Sequence, residues 1–298
     1  MKLFLPLFAA VLALTARAQV VTVEIKVPQD QFLPGESLPI SVLVHNRSGQ
    51  TLHLGGDQQW LTFSVQSAGV TTAVIRNADP DVVQPFDLDS SQVATKRIDI
   101  APYYSLKHAG HYRIVATVHI NQWNTDVSSA AKEFDIIDGV DIWSRDFGVP
   151  SAVTNRPPEV RKYILEEANY LHQQLRLYAL VSNPSRTVVY KVSAIGPMVS
   201  FSQPEAQLDR RSNLHILYQS SAKTFIYSQV NPDGDVAQQD VYDLLDARPR
   251  LTFDQDGNIV VTGGVRRVRM DEVPDIKMPD QLPQIPPPSE EKPGQGKK

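Results

Sequence analysis

The sequence predicts a mainly β protein in two folded parts, an N-terminal β-sandwich and a C-terminal repeated antiparallel β-meander with one helix. Two observations carry this. From Val20 to about Ile137 apolar residues alternate at period two between clusters of turn residues. Further on, the chain matches itself at an offset of 37 residues: Leu177, Leu214 and Leu251 coincide, as do Leu180 with Leu217, Thr187 with Thr224, and Tyr190 with Tyr227. The match continues through Val199 with Val236, Leu208 with Leu245, Asp209 with Asp246 and Arg211 with Arg248, which marks a repeated supersecondary unit.

In the first part, Val21, Val23, Ile25 and Val27 alternate as one strand, and Pro34-Gly35-Glu36 turns the chain into Leu38, Ile40, Val42 and Val44. Further strands follow at residues 60–65, 73–75, 94–100, 112–120 and 131–137. Short strands at this density, with no helical stretch among them, predict two packed sheets. Alternation lapses over residues 139–157, which suits a linker. Asn155 as N-cap, Pro157 and Pro158 in a first turn, and Val160, Tyr163, Ile164, Leu171 and Leu175 at helical spacing then predict a helix over 158–173. The meander strands are expected at 175–181, 187–192, 214–218, 224–230, 236–242, 250–253 and 259–262. Asn231-Pro232-Asp233-Gly234 and Asp254-Gln255-Asp256-Gly257-Asn258 supply residues tolerant of the left-handed backbone that tight hairpins need.

The ends bound the setting. Lys2, the apolar run from Leu3 to Leu14, and Ala16-Arg17-Ala18 have the pattern of a secretory signal, with cleavage expected after Ala18. About 12 apolar residues are too few to cross a hydrocarbon core of roughly 30 Å, and no later stretch is long and apolar enough, so no membrane span is expected. Loss of Lys2 and Arg17 would take the net charge from −4 to −6, which disfavours nucleic acid as a partner. There are no cysteines, which removes thiol catalysis, iron–sulfur clusters and acylation at the cleavage site. Residues 271–298, with seven prolines from Pro274 onward and no aromatic residue, read as a disordered tail.

Phe32 to Asn46, with Pro34-Gly35-Glu36 before an alternating strand, and Gly110-His111-Tyr112-Arg113-Ile114-Val115-Ala116 resemble bacterial extracytoplasmic immunoglobulin-like domains. The resemblance covers residues 19–138. It implies an Ig-like sandwich, with Tyr112 closing one end, and an extracytoplasmic setting, but no specific ligand. The repeated meander, residues 158–270 with its helix, resembles β-propeller blades of about 40 residues. A closed propeller needs at least about four blades. Residues 175–269 supply fewer than three, so an open sheet or partial propeller is expected over a ring closed by several chains.

Candidate sites are few. His108 and His111, with His53 or His119, would make a metal site only if a loop at Ala109-Gly110 brought them together, because a spacing of three places strand side chains on opposite faces. No HExxH motif, EF-hand loop, nucleophile elbow or phosphate-cradling glycine loop occurs, so no metal, cofactor or catalytic residue is assigned. Asp209 and Asp246 occupy equivalent repeat positions, which favours turn bracing over an acid and base pair at the separation of about 5 to 9.5 Å that a glycosidase needs. Ser212-Asn213 and Asn231 to Asp235 depart from the hairpin motif of sialidase-like propellers. Asn46-Arg47-Ser48 fits a glycosylation sequon. Arg210, Arg211, Arg248, Arg266 and Arg267, with Trp143 in the linker, form the candidate surface for an envelope protein or glycan. The expected function is a non-catalytic, secreted or periplasmic binding or assembly protein. A carbohydrate-active enzyme or lectin with an oligomeric propeller, and a proteinase inhibitor, are the alternatives.

Overall fold

The structure is a computed structural model that describes residues 20–68, 73–149 and 159–268. The expected signal segment and proline-rich tail lie outside these residues. In chain order the first ten strands are β1 (Val21–Lys26), β2 (Gln31–Phe32), β3 (Pro39–Asn46), β4 (Leu52–Leu54), β5 (Leu61–Ser67), β6 (Phe86–Leu88), β7 (Val93–Asp99), β8 (Gly110–Ile120), β9 (Thr125–Ser128) and β10 (Lys132–Ile136). The next eight are β11 (Val140–Val149), β12 (Glu159–Tyr170), β13 (Gln174–Ser182), β14 (Val189–Pro197), β15 (Glu205–Leu208), β16 (Leu214–Gln219), β17 (Thr224–Val230) and β18 (Val236–Asp243). The last three are β19 (Arg250–Phe253), β20 (Ile259–Thr262) and β21 (Val265–Arg266). The fold is mainly β. Its helical content among the described residues is two single 3-10 turns, Ala101–Tyr103 and Asn121–Trp123.

The N-terminal part packs one sheet, β1-β3-β7, against another, β2-β10-β8-β5 with β9 on β8. Alternation in β1, β3, β5 and β8 sends Val21, Ile40, Val42, Val65, Ile114, Ala116 and Val118 into one core around Trp60 and Phe134. Trp60 donates its indole N–H to the Val82 carbonyl at 3.0 Å, so its burial leaves no polar atom unpaired. Tyr112 donates its hydroxyl to the His108 carbonyl at 2.8 Å, closing the turn before β8.

The C-terminal part is a series of antiparallel meanders: β11-β12-β13-β14, then β15-β16-β17-β18 with β21 on the edge of β18, then β19-β20 alone. Hydrophobic layers join them face to face. Phe147, Tyr163, Leu165, Leu177 and Val181 of the first meander meet Leu214, Ile216, Tyr218 and Val230 of the second. On the far side of the second, Leu217, Phe225 and Tyr227 meet Leu251 and Ile259 of the last hairpin. On the near side of the first, Ile164, Ala168, Tyr178, Leu180 and Val192 receive Leu33 from the sandwich.

Three expectations are corrected. No strand forms at 73–75, where Ala73 makes only an isolated bridge to Gln66. The helix over 158–173 is absent: β12 is a strand, paired with β11 on one side and β13 on the other. Its two faces are both covered, Tyr163 and Leu165 by the second meander and Ile164 and Ala168 by the sandwich side. A strand buried on both faces loses its polar alternation, and the apolar run then imitates helical spacing. The linker over 139–157 is likewise mostly strand as far as it is described. β11 carries Asp141, Arg145 and Asp146 on an edge and a bulge between Asp141 and Trp143, which breaks the period that would have revealed it.

The 37-residue match is partly structural. Leu177, Leu214 and Leu251 each lie buried in the first strand of a hairpin. Leu177 and Leu214 face each other across one layer, however, whereas Leu251 faces back toward the second meander. The first copy is therefore one residue out of phase with the other two, and the β13–β14 ladder absorbs the difference in a bulge at Leu177/Tyr178. Equivalence ends at the loop after β18, where Leu245 is 66% exposed although Leu208 packs on the core.

Urea unfolding should separate these positions. Leu214→Ala, which empties a fully buried site, should cost about 3 kcal/mol. Leu245→Ala should stay within about 0.5 kcal/mol of wild type, because it removes no buried contact.

Candidate functional site

The chemically capable side chains gather in the hairpin turns and the faces beneath them. Four turns share one design. An Asx residue leads, a residue of positive φ stands three positions later, and the N–H of that residue returns to the carbonyl of the first: Asn183 with Arg186, Asp209 with Ser212, Asn231 with Gly234, and Asp254 with Gly257. In the last three the leading side chain also accepts the backbone N–H groups two and four residues on, at 2.8 to 3.0 Å. Such Asx closure satisfies turn amides that would otherwise lack a partner. The two aspartate-rich turns are hairpin braces by this geometry.

Asp209 also reaches inward. Its Oδ2 lies 3.3 Å from His215 Nε2, and His215 Nδ1 lies 2.8 Å from the Tyr227 hydroxyl. Burial opposes ionisation of Asp209, but hydrogen bonds from the Asn213 side chain and backbone, from His215 and from the Arg211 N–H outweigh it and hold the carboxyl below its ordinary value. Burial raises Tyr227 to about 12, with further increments from Tyr242, Asp240 and Asp209. In the tautomer that gives its Nε2–H to Asp209, the imidazole presents Nδ1 as an acceptor for the tyrosine proton. Burial keeps Tyr227 neutral under Leu251 and Ile259, and the triad ties the β15–β16 turn to the face that carries the last hairpin. The three side chains form one hydrogen-bonded chain that runs from the turn into the interior.

A second cluster sits at the first meander. Glu166, 3% exposed, receives Arg186 from the β13–β14 turn, and the same guanidinium takes both oxygens of Asp141 at 2.8 Å. Burial raises Glu166 to about 7; Arg186 pulls it down and the neighbouring Asp141 pushes it up. Gly139 makes room for it, since a Cβ there would collide with the Glu166 carboxylate. Nearby, buried Glu36 accepts the Leu33 N–H at 2.8 Å and the Gln29 amide at 2.9 Å, fixing the segment that enters the first meander. Nothing in the local sequence marked Glu166, because burial of its strand on both faces is a tertiary fact.

The candidate surface is dispersed. Arg266 reaches buried Asp240 at 3.2 Å, and Arg267 makes a two-pronged pair with Asp243 at 2.6 and 2.7 Å. Arg248 donates to Ser202 at 2.9 Å and lies over the Phe225 ring. Arg210 and Arg211 stand exposed in the β15–β16 turn, with the Arg210 guanidinium beside Gly257. Trp143, on β11, is half-buried against the layer between the meanders and belongs to that core. Asp246 lies exposed in the loop after β18 and has no part in the Asx series. The histidines are not brought together: His53 pairs with Asp87 at 2.5 Å, His119 with Asp126 at 2.7 Å, and His111 with Asp135. No three metal-ligating side chains converge among the described residues. The sequon asparagine, Asn46, is fully buried and spends its amide on the Gln50 and Leu88 carbonyls, so it is closed to glycosylation.

Two measurements follow. Asp209→Ala should cost about 2 kcal/mol in urea unfolding, since it strips the turn amides and leaves His215 without its acceptor. For Glu166 the sign is set by a folded value near 7 against an ordinary 4.5: the fold keeps a proton that the unfolded chain releases, so stability from this group falls as pH rises from about 4.5 to 7. Urea midpoints across that window should decline in the wild type and lose this component in Glu166→Gln.

No helix among the described residues is long and apolar enough to cross a membrane. No protein-family model matches the chain, and no curated protein matches it. Among solved structures, the sporulation control protein Spo0M from Bacillus subtilis aligns over 70% of this chain and 79% of its own at 12% identity. Its TM-score of 0.27 is too low to bear on either fold or function.

Proposed function

We propose that the chain is an exported, non-catalytic binding or assembly protein of the cell envelope, with an envelope protein or glycan as its partner. The observation that carries this reading is the use made of its reactive groups. Asp209, His215 and Tyr227 form an internal brace, Glu166, Arg186 and Asp141 form another, and Arg266 and Arg267 are matched to Asp240 and Asp243. Side chains so committed hold sheets together and leave the outer surfaces and strand edges as the parts that meet other molecules. The export part of the reading rests on the residue 1–18 pattern and the lack of cysteine. The Ig-like reading of the sandwich draws support from the Tyr112 hydroxyl closing onto the His108 carbonyl. The propeller-like reading of the meanders draws support from two four-stranded antiparallel units in series.

Expression of the full chain in a bacterial host tests the export reading. The expected result is release by osmotic shock with Gln19 as the first residue by mass spectrometry; an unprocessed cytoplasmic product would sink it. The non-catalytic part is tested with a panel of glycan and peptide substrates. Turnover that vanishes in Asp209→Asn, a variant keeping the turn acceptor, would replace this reading with an enzymatic one.

A further inference from the structure

The last module is half the size of its predecessors. β11–β14 and β15–β18 are each four-stranded, whereas β19 and β20 stand as a pair, and the chain then turns through Gly263 and Gly264, at φ +76° and +64°, to place β21 on β18. A two-stranded sheet is marginal alone, and this one is held by Leu251 and Ile259 against Leu217, Phe225 and Tyr227.

Ladder alternation fixes which backbone groups face outward. The Asp254 N–H to Asn258 carbonyl bond makes those two a bonded pair, so Thr252 with Val260 and Arg250 with Thr262 are bonded pairs as well. The N–H and C=O groups of Leu251, Ile259 and Val261 therefore point off the edges. On the β19 side the edge is stopped: the Leu251 N–H donates to the Glu205 carboxylate at 2.8 Å, and Arg250 lies 3.7 Å from the same carboxylate. On the β20 side no strand among the described residues pairs with Ile259 or Val261.

That edge also lacks the usual deterrents to pairing. β20 reads Ile259-Val260-Val261-Thr262, β-branched throughout, with no charge, no proline and no bulge in its ladder. Elsewhere the deterrents are present: β11 carries three charged residues and a bulge, and β1 carries Glu24 and Lys26.

We propose that β20 pairs antiparallel with β20 of a second copy of this chain, about a two-fold axis at Val260, so that two hairpins complete one four-stranded sheet. In this register Ile259 exchanges both backbone hydrogen bonds with the partner's Val261, and Val261 with the partner's Ile259. Val260 meets the partner's Val260 at a non-bonded position, where side chains approach most closely. The occupant is a second copy because an uncharged strand meets no like charge across its own axis and supplies the two strands that the preceding sheets possess. The chain's own C-terminal segment fits poorly: residues 269–298 contain no proline-free run longer than five residues, and every such run of three or more carries a charge. The pairing stands on backbone geometry and does not depend on the envelope reading.

The lack of native cysteine makes the test clean. Val260→Cys in the full chain should give a disulfide-linked dimer on mild oxidation, while Val236→Cys on β18 should stay monomeric. Sedimentation velocity of the wild type should show a reversible dimer at concentrations up to roughly 100 µM. Val260→Lys should weaken it by about tenfold or more through facing like charges, and mixing it with Val260→Glu should restore association. An unchanged thermal melt of Val260→Lys separates lost pairing from lost folding; if that variant unfolds, the Val260→Cys crosslink decides. The proposal is overturned by a wild type monomeric throughout this range, by a dimer indifferent to Val260→Lys, or by a dimer that forms only after truncation behind Val268, which would make the tail the occupant of the edge.

Discussion

The layer between the two four-stranded meanders is what the rest of the C-terminal part depends on. Tyr163, Leu165, Leu177 and Val181 from one sheet and Leu214, Ile216, Tyr218 and Val230 from the other are nearly inaccessible to water. Each sheet thereby gains one buried face, and each is left with a second face that must be covered as well. The sandwich covers one through Leu33, and the β19–β20 hairpin covers the other through Leu251 and Ile259. The order of modules along the chain thus follows from a single requirement, that an apolar sheet face be removed from water.

Polar side chains secure what this layering leaves open. Turns expose amides that no ladder satisfies, and the Asx series closes them with carboxylate or amide oxygens from Asn183, Asp209, Asn231 and Asp254. Junctions need more. Tyr163 donates its hydroxyl toward the Ser212 and Val230 carbonyls at 3.1 and 3.2 Å, and Arg161 reaches the Pro232 carbonyl and Asp233, so the first meander grips two turns of the second. Leu171 N–H donates to Gln31 at 2.5 Å, and Gln31 donates to Asp135, which links the β12–β13 turn to the sandwich.

Much of this was legible from local pattern. Alternation marks the long sandwich strands β1, β3, β5, β7, β8 and β10, and glycines mark the Asn231 and Asp254 hairpins, whereas the short strands β2, β4, β6 and β9 carry too few residues to show a period and 73–75 is not a strand. The repeat predicts turn bracing for Asp209 and Asp246 alike; Asp209 has that role through Arg211 and Asn213, whereas Asp246 lies exposed in the loop after β18, outside the Asx series. The β12–β13 turn was not legible, because Leu171 and His172 both adopt positive φ, at 51° and 54°, and neither is a residue that announces it. The arginines were legible as residues, but their carboxylate partners lie on strands whose register had to be known first.

By itself the sequence determined the strand-forming character of the chain and the chemistry of most of its turns, because period two and the left-handed tolerance of Gly, Asn and Asp are properties of neighbouring residues. Only the tertiary structure decided that 159–170 is a strand, that Leu177 and Leu214 face one another, and that Glu166 is buried beside Arg186. Each of those outcomes depends on which sheet lies against a given face. That is settled by apolar surfaces remote in the chain, whose mutual burial outweighs the local preference of any single segment.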